Sequence, residues 1–292
     1  MLDDLRAEES ILDERLSEAS DILGFDLGDV IRNGPEARLS QTSVTQPALL
    51  VASVALFEIW SAHRGAVPTI MAGHSLGEYS AFTAAGSLQF NDAVKLVHER
   101  GKLMESAVPG GQGAMAAILG LDDELVSSIC AEIDGVVSPA NMNAPGQVVI
   151  SGEISAVDHA VAKCSEAGAR RSVKLNVSGP FHCQLMTPAA GELEKLLDEV
   201  EIKVPDISVI HNVDASVAID AAGIRDRLVR QLSAPVRWSE CVAAVLATGV
   251  TTVVECGPGK VLTGLLRRID RSVDAFAMGS VDELSAALGA IE

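Results

Sequence analysis

Basic residues are scarce. Lys plus Arg number 22 against 40 Asp plus Glu, a formal net charge of −18, and a field of that sign repels nucleic acid and anionic lipid. Nucleic-acid binding is excluded on this ground, and an anionic partner would have to be met by a local basic patch. Long hydrophobic runs are lacking too. The longest, residues 47–60, is broken by Ser53 and Glu58 and falls short of the roughly 20 residues that span a bilayer. No membrane segment or signal peptide is expected, and the protein reads as soluble. Cysteine is sparse: Cys130, Cys164, Cys183, Cys241 and Cys256 form an odd, scattered set with no C-x-x-C pair. That argues against a disulfide framework and against a zinc site, so no metal is expected and a cytoplasmic location fits.

What is present is a globular composition, 48% hydrophobic and 21% charged over 292 residues, long enough for one large domain with a smaller satellite. Apolar residues at helical spacing predict an amphipathic surface helix over 2–23. Pro47 is expected to open a buried helix running through Trp60. A short strand over 69–72 leads into Gly73-His74-Ser75-Leu76-Gly77 and a helix through Ala84, and another helix is expected from an Asn91 N-cap to Ala107. Residues 112–177 then read strand, helix, strand, strand, helix, strand, the ferredoxin-like order. Beyond 178 helices again alternate with short apolar runs, which implies a mainly parallel sheet covered on both faces. The expected α/β architecture is thus a discontinuous, hydrolase-like large domain, 1–111 and 178–292, with an inserted ferredoxin-like small domain.

Gly73-His74-Ser75-Leu76-Gly77 fits G-x-S-x-G, a strand-to-helix turn whose glycines permit close approach and awkward dihedrals and push a serine hydroxyl out of the sheet. Ser75 is the candidate nucleophile, and the Leu76 backbone N–H, at a helix N-terminus, can donate to an oxyanion. A serine needs a base. His98 and His159 lie on amphipathic helices among charges and read as solvated, and His63 lies in a polar loop. His182 follows the Ser178-Gly179-Pro180-Phe181 break after a strand, the kind of strand-end loop where parallel sheets build sites, so it is preferred, with His211 second. The Asp and Glu residues between Ser75 and His182 fall mainly on apparent surface helices, so a backbone carbonyl can orient His182 instead. His74 reads first as a packing residue beneath the turn, and alternatively as a group that orients a substrate carboxylate. Arg100 borders the buried side of its helix. It is either a surface ion-pair residue or a bidentate clamp for a carboxylate.

Taken in order, the elbow with Glu78-Tyr79-Ser80, the Arg100-Gly101-Lys102 helix, the run Asn141-Met142-Asn143-Ala144-Pro145-Gly146-Gln147-Val148-Val149-Ile150-Ser151-Gly152, Phe181-His182 and Gly257-Pro258-Gly259-Lys260 resemble the malonyl-CoA:acyl carrier protein transacylases over essentially the whole chain. The resemblance implies a ping-pong reaction of fatty acid synthesis. Ser75 takes malonyl from malonyl-CoA, a substrate, with no permanently bound cofactor, and passes it to the phosphopantetheine thiol of an acyl carrier protein. His182 serves as base and then acid, oriented by the backbone carbonyl of Gln231. Arg100 pairs with the malonyl carboxylate, and Met104, Phe181, Asn143 and His74 stand on the substrate side. The aromatic ring of Phe181 fills the space that an α-methyl would need. The pairs Arg170-Arg171 and Arg267-Arg268 are placed near the site's mouth as carrier-docking groups, although ordinary solvated charges are the competing reading. The protein is expected to be a monomer.

One departure from that pattern is the absence of the usual Gly-Gln-Gly-Ser-Gln loop after a first strand. Gly111-Gln112-Gly113 sits at the insertion boundary and cannot replace it. The expectation is that the natural start lies upstream and that this sequence lacks a sheet strand and the second oxyanion donor. Two rival functions share the elbow: a serine thioesterase or esterase, and a degenerate, non-catalytic carrier-protein binder. Arg100 favours the transferase, because an esterase pocket would be apolar there.

Overall fold

The computed structural model describes residues 9–291. Four helices come first: α1 (Glu9–Leu23), α2 (Leu27–Asn33), α3 (Glu36–Leu39) and α4 (Thr42–Ala62). Of the helix expected over 2–23, the part before residue 9 lies outside the described residues. α1 buries Leu12, Leu16 and Ala19, and its Arg15 reaches across to Glu58 of α4 at 2.9 Å. Apolar nearly all round, α4 is long and apolar enough, by length and composition alone, to cross a membrane. Its apolar window is 67% buried inside the fold, where α1, α5 (Leu76–Ala84) and α6 (Phe90–Ser106) pack against it. Strand β1 (Ile70–Ala72) feeds directly into the turn before α5.

α4 begins five residues before Pro47, with Gln41 as N-cap, so the proline lies inside the helix rather than opening it. A proline in that place has no N–H for the carbonyl four residues back. The Ser43 carbonyl is instead satisfied by His98 of α6, whose Nδ1 lies 2.6 Å away. Because a carbonyl only accepts, Nδ1 carries the proton. His98 is therefore not a solvated surface residue, and its ring also lies against Phe25 at 6.1 Å between centroids. Close contact of α4 and α6 makes this reach possible: a Cβ at Gly101 would lie 2.5 Å from the Ser43 Cα. α6 starts with Gln89 as N-cap, so Asn91 belongs to its first turn.

Next come β2 (Gly113–Leu119), α7 (Asp123–Ala131), β3 (Val137–Ala144), β4 (Gln147–Glu153), α8 (Ile154–Glu166) and β5 (Arg171–Lys174), in the chain order expected. They form a four-stranded sheet of order β3-β4-β2-β5 with every pair antiparallel. Alternation along the strands divides the side chains between two faces. Ala116, Ile118, Val148 and Ile150 face α7 and α8, while Met115, Ala140 and Val149 face the other way and pack against Phe181. Val236 clasps β3: Met142 donates to its carbonyl at 2.9 Å and its N–H donates to Ala140 at 2.8 Å.

The remaining elements are α9 (Thr187–Asp198), β6 (Ser208–Ile210), α10 (Ala221–Gln231), α11 (Trp238–Leu246), β7 (Thr252–Glu255), α12 (Val261–Ile269), β8 (Asp274–Ala277) and α13 (Val281–Ala290). β8 and α13 were not anticipated from the pattern. β1 pairs in parallel with β6, and β7 with β8. These are two separate parallel pairs rather than the single sheet expected, because none of the described strands bridges them. Both pairs are nevertheless covered on two sides. Met71, Val209, Val254 and Phe276 join the main helical core, and Ile70, Ile210, Val253 and Ala275 join a second core with α11 and α12.

The Ser43 carbonyl offers a test of the α4–α6 contact. His98→Ala should destabilise the protein by about 1–3 kcal/mol, the usual cost of orphaning a buried acceptor. In a Pro47→Ala background, where residue 47 can donate to that carbonyl, the loss should shrink. Urea unfolding of the four proteins measures the coupling, and equal losses in both backgrounds would show that the bond is not what His98 contributes.

Candidate active site

The turn after β1 holds Ser75 at φ 51 and ψ −105, a region that costs a non-glycine residue about 1–3 kcal/mol. The awkward dihedral belongs to the serine itself, not to the flanking glycines. Gly73 serves close approach, since a Cβ there would lie 1.9 Å from the Gly77 carbonyl group. Asn212, just past β6, grips the turn on both sides: its Oδ1 accepts from the Ser75 N–H at 2.7 Å and its Nδ2 donates to the Gly73 carbonyl at 2.8 Å. This anchoring holds the hydroxyl outward, with the Leu76 N–H as the first of α5 and so without a partner inside the helix.

Ser75 Oγ lies 2.7 Å from His182 Nε2. On the far side of the ring, Nδ1 donates to the backbone carbonyl of Gln231 at 2.8 Å. Gln231 is the last residue of α10, so its carbonyl has no intrahelical donor and is available to the imidazole. With the proton fixed on Nδ1, Nε2 is left as the acceptor for the serine hydroxyl. His182, like Ser75, has a positive φ, 58. Burial, reinforced by the nearby Arg100 charge, pushes its pKa down to about 3 despite the opposing effect of the Gln231 carbonyl, so the imidazole is neutral and ready to take a proton.

Arg100 is 1% exposed. Its Nη1 donates to Gln46 Oε1 at 2.6 Å, and its Nη2 to Gln231 Oε1 at 2.9 Å and to Ser75 Oγ at 3.1 Å. Its guanidinium carbon lies 5.2 Å from the centroid of the Tyr79 ring. No carboxylate among the described residues is within ion-pair distance of it, so the surface-salt-bridge reading fails. A cavity of about 370 Å³ opens here, lined by Ser75, His182, Arg100, Met104, Phe181 and His74, with Gln46, Leu76 and the 176–178 segment. Asn143 stands behind it, 2.8 Å from His74 Nε2, and the His74 ring tilts against Trp238.

His211, the second candidate base, is fully buried with Nδ1 on Glu78 Oε1 at 2.7 Å, and Ser75 Oγ is taken by His182. None of the four arginines lines the cavity. Arg171 pairs in register with Leu119, Leu119 with Gln147, and Gln147 accepts from Arg268 at 2.7 Å. All four arginines thus belong to one end of the small sheet or to the end of α12 beside it. Arg171 precedes the cavity-lining Asn176 by roughly 15 Å of extended chain.

A family described as "Acyl transferase domain" matches residues 6–284. The chain belongs to this family. It is 50% identical over 290 residues to the malonyl CoA-acyl carrier protein transacylase of Salmonella typhimurium, covering 99% of this chain and 94% of that one. Among solved structures of the family, an acyl carrier protein S-malonyltransferase from Vibrio cholerae superposes with a TM-score of 0.96 at 50% identity, covering 98% of this chain and 94% of that chain. The malonyl-transacylase solved in complex with its type II PKS acyl-carrier protein gives 0.97 at 47% identity, covering 99% and 94%.

Three site residues escaped the sequence reading: Gln46, Glu78 and Asn212. Gln46 is a buried polar residue on an apolar helix, a signal that was available. Glu78 stands three residues after Ser75, where a capping-box glutamate would reach back to the Ser75 N–H. Asn212 takes that N–H instead, and the Glu78 carboxylate turns inward.

The depressed pKa of His182 sets a sign for acid sensitivity. A histidine that unfolds to an ordinary pKa near 6.5 but stays neutral in the fold withdraws stability as pH falls from about 6.5 towards 3. Between pH 6.5 and 5 that amounts to about 2 kcal/mol at 1.36 kcal/mol per pH unit. Denaturant unfolding should show His182→Ala losing correspondingly less stability over this interval than the parent. Acylation of Ser75 should show no titration near pH 6.5, and a break there would mean that the imidazole is not held neutral.

Proposed function

We propose that this protein is a malonyl-CoA:acyl carrier protein S-malonyltransferase working through a malonyl ester on Ser75. One observation carries the reading: the hydroxyl that touches the His182 base at 2.7 Å is also touched, at 3.1 Å, by a buried guanidinium that pairs with no carboxylate among the described residues. A nucleophile beside an unclaimed cation suits an acyl group that ends in a carboxylate.

In the first half-reaction His182 Nε2 takes the Ser75 proton as Oγ attacks the thioester carbonyl of malonyl-CoA. The developing oxyanion receives the Leu76 N–H at the head of α5. Collapse breaks the C–S bond, His182 returns the proton to the departing thiol, and malonyl remains on Ser75. In the second half the carrier's phosphopantetheine thiol gives its proton to His182 and attacks the ester, and the proton returns to Oγ as Ser75 leaves. Acid-base help of this kind is worth about 10²–10⁴ in rate. The Gln231 carbonyl orients the ring and, at the negative end of α10, favours the transient imidazolium. Met104 and Phe181 shape the acyl end of the cavity, and His74 is held by Asn143 at its side. The enzyme needs no resident cofactor for these steps.

The names of the relatives support the substrate pair, and the solved transacylase–carrier complex supports an acyl carrier protein as partner. The sheet order and the separate apolar core beneath α7 and α8 support reading 112–177 as a ferredoxin-like domain inserted in a hydrolase-like domain of 1–111 and 178–292. Five free cysteines support the cytoplasm, and the reading keeps the protein a monomer. Arg170, Arg171, Arg267 and Arg268 are read as the basic patch for the acidic carrier.

Intact-protein mass measured after incubation with malonyl-CoA tests the chemistry. Ser75→Ala should form no adduct, and turnover without a lasting adduct on the parent would make it a hydrolase. Arg100→Ala should cut the preference for malonyl over acetyl by about 2–5 kcal/mol, roughly thirtyfold or more. If malonyl keeps its margin, Arg100 does not read the carboxylate. Charge reversal at Arg171 and Arg267 should raise the KM for carrier protein and flatten its salt dependence while leaving acylation by malonyl-CoA unchanged. Unaltered carrier kinetics would dismiss the patch.

A further inference from the structure

We propose that Glu78 is a positioning residue that sets acyl choice through Gln231, an inference that rests on the transacylase reading. Arg100 and Glu78 are both fully enclosed, yet they do not touch. The Gln231 amide stands between them. Its Oε1 accepts from Arg100 Nη2 at 2.9 Å and its Nε2 donates to Glu78 Oε2 at 2.7 Å. Guanidinium, amide and carboxylate form a hydrogen-bonded chain in which the amide oxygen faces the cation and the amide nitrogen faces the anion.

The orientation of that amide follows from its surroundings. Nε2 also donates to the Ser75 carbonyl at 3.0 Å and lies 3.3 Å from Asn212 Oδ1, so one end of the amide faces only acceptors and the other faces a donor. Of those acceptors Glu78 alone is a carboxylate, and a hydrogen bond to a carboxylate is roughly twice as strong as one between neutral groups. The carboxylate is in turn held by the N–H of Asn212 at 2.9 Å and by His211 Nδ1 at 2.7 Å. Three buried residues, Glu78, His211 and Asn212, together with the half-buried Ser75, thus keep one amide oxygen aimed at Arg100.

The spacer has a chemical use. A carboxylate in direct contact would balance Arg100 but would occupy the guanidinium edge that a substrate carboxylate needs. Passing the balance through Gln231 keeps a compensating anion in the protein while Nη2 stays beside Ser75 Oγ, where the acyl group is attached. Glu78 therefore acts on the choice between malonyl and acetyl without touching either.

The test compares rates of Ser75 acylation by malonyl-CoA and by acetyl-CoA, read by intact-protein mass, in the parent, Glu78→Gln and Glu78→Asp. Glu78→Gln puts an NH₂ where donors converge and lets the Gln231 amide turn over, so the malonyl-to-acetyl ratio should fall about tenfold or more. Glu78→Asp keeps the charge but withdraws it by a methylene, and its ratio should fall less, about threefold. A merely structural role would slow both acyl donors together, so an unchanged ratio in Glu78→Gln overturns the proposal whatever happens to the rates. Should Glu78→Gln not fold, Glu78→Asp decides by the same ratio. A parent that forms no malonyl adduct overturns the transacylase reading and this inference with it. A parent that prefers malonyl beside a Glu78→Gln variant of equal preference overturns this inference alone.

Discussion

A cation buried beside a serine hydroxyl is the constraint around which this molecule is organised. Taking a guanidinium out of water costs several kcal/mol unless its donors are met, and Arg100 offsets the cost at Nη1 and Nη2 with amide oxygens from Gln46 and Gln231 and the hydroxyl of Ser75, and with the face of Tyr79, while its buried Nε has no hydrogen-bond partner among the described residues. Those partners come from α4, α10, the elbow and α5, so the elements that enclose the charge are the ones that must meet for the core to close. Burial of the neighbouring His182 lowers its pKa, and the Arg100 charge adds to the effect. Together they keep the imidazole neutral beside a cation that pairs with no carboxylate among the described residues.

Helix ends supply the rest of the polar machinery. The elbow opens α5 with an unpaired N–H at Leu76, and α10 closes with the Gln231 carbonyl that holds the His182 ring. Each group is one that every helix leaves unsatisfied. Two residues held at positive φ, Ser75 and His182, store strain of about 1–3 kcal/mol each, and the surrounding hydrogen bonds hold them there. Asn212 does this for Ser75 by bonding to its own N–H and to the Gly73 carbonyl two residues before it.

Much of this was legible in the residues. The elbow, the choice of His182, the Gln231 carbonyl and the strand-helix order of the inserted module can be read from local pattern and resemblance, because turn chemistry and alternation are short-range properties. Long-range partners were not legible. Glu78 looks like a helix cap until Asn212, 134 residues away, is seen to take its place. His98 looks solvated until Pro47, on another helix, is seen to leave a carbonyl open. Pro47 was misplaced for the same reason: inside a helix it needs a donor that no local pattern reveals. The two parallel pairs, three and four residues long, carry too few residues for alternation to say which strands are bonded.

Phe181 packs against the sheet face formed by Met115, Ala140 and Val149, all of which belong to β2, β3 and β4, while its neighbour His182 is held by α10. Phe181 also packs against the main helical core, so it touches both bodies, the small sheet as roof and the main core as floor, whereas His182 is fixed to the floor. The roof is latched to the floor by the Val236 clasp and by the His74–Asn143 bond. Room in the cavity beside Ser75 then depends on how deeply the roof is seated as well as on the size of the Phe181 ring, and a change at the Val236 clasp widens or narrows the cavity without altering a residue that lines it.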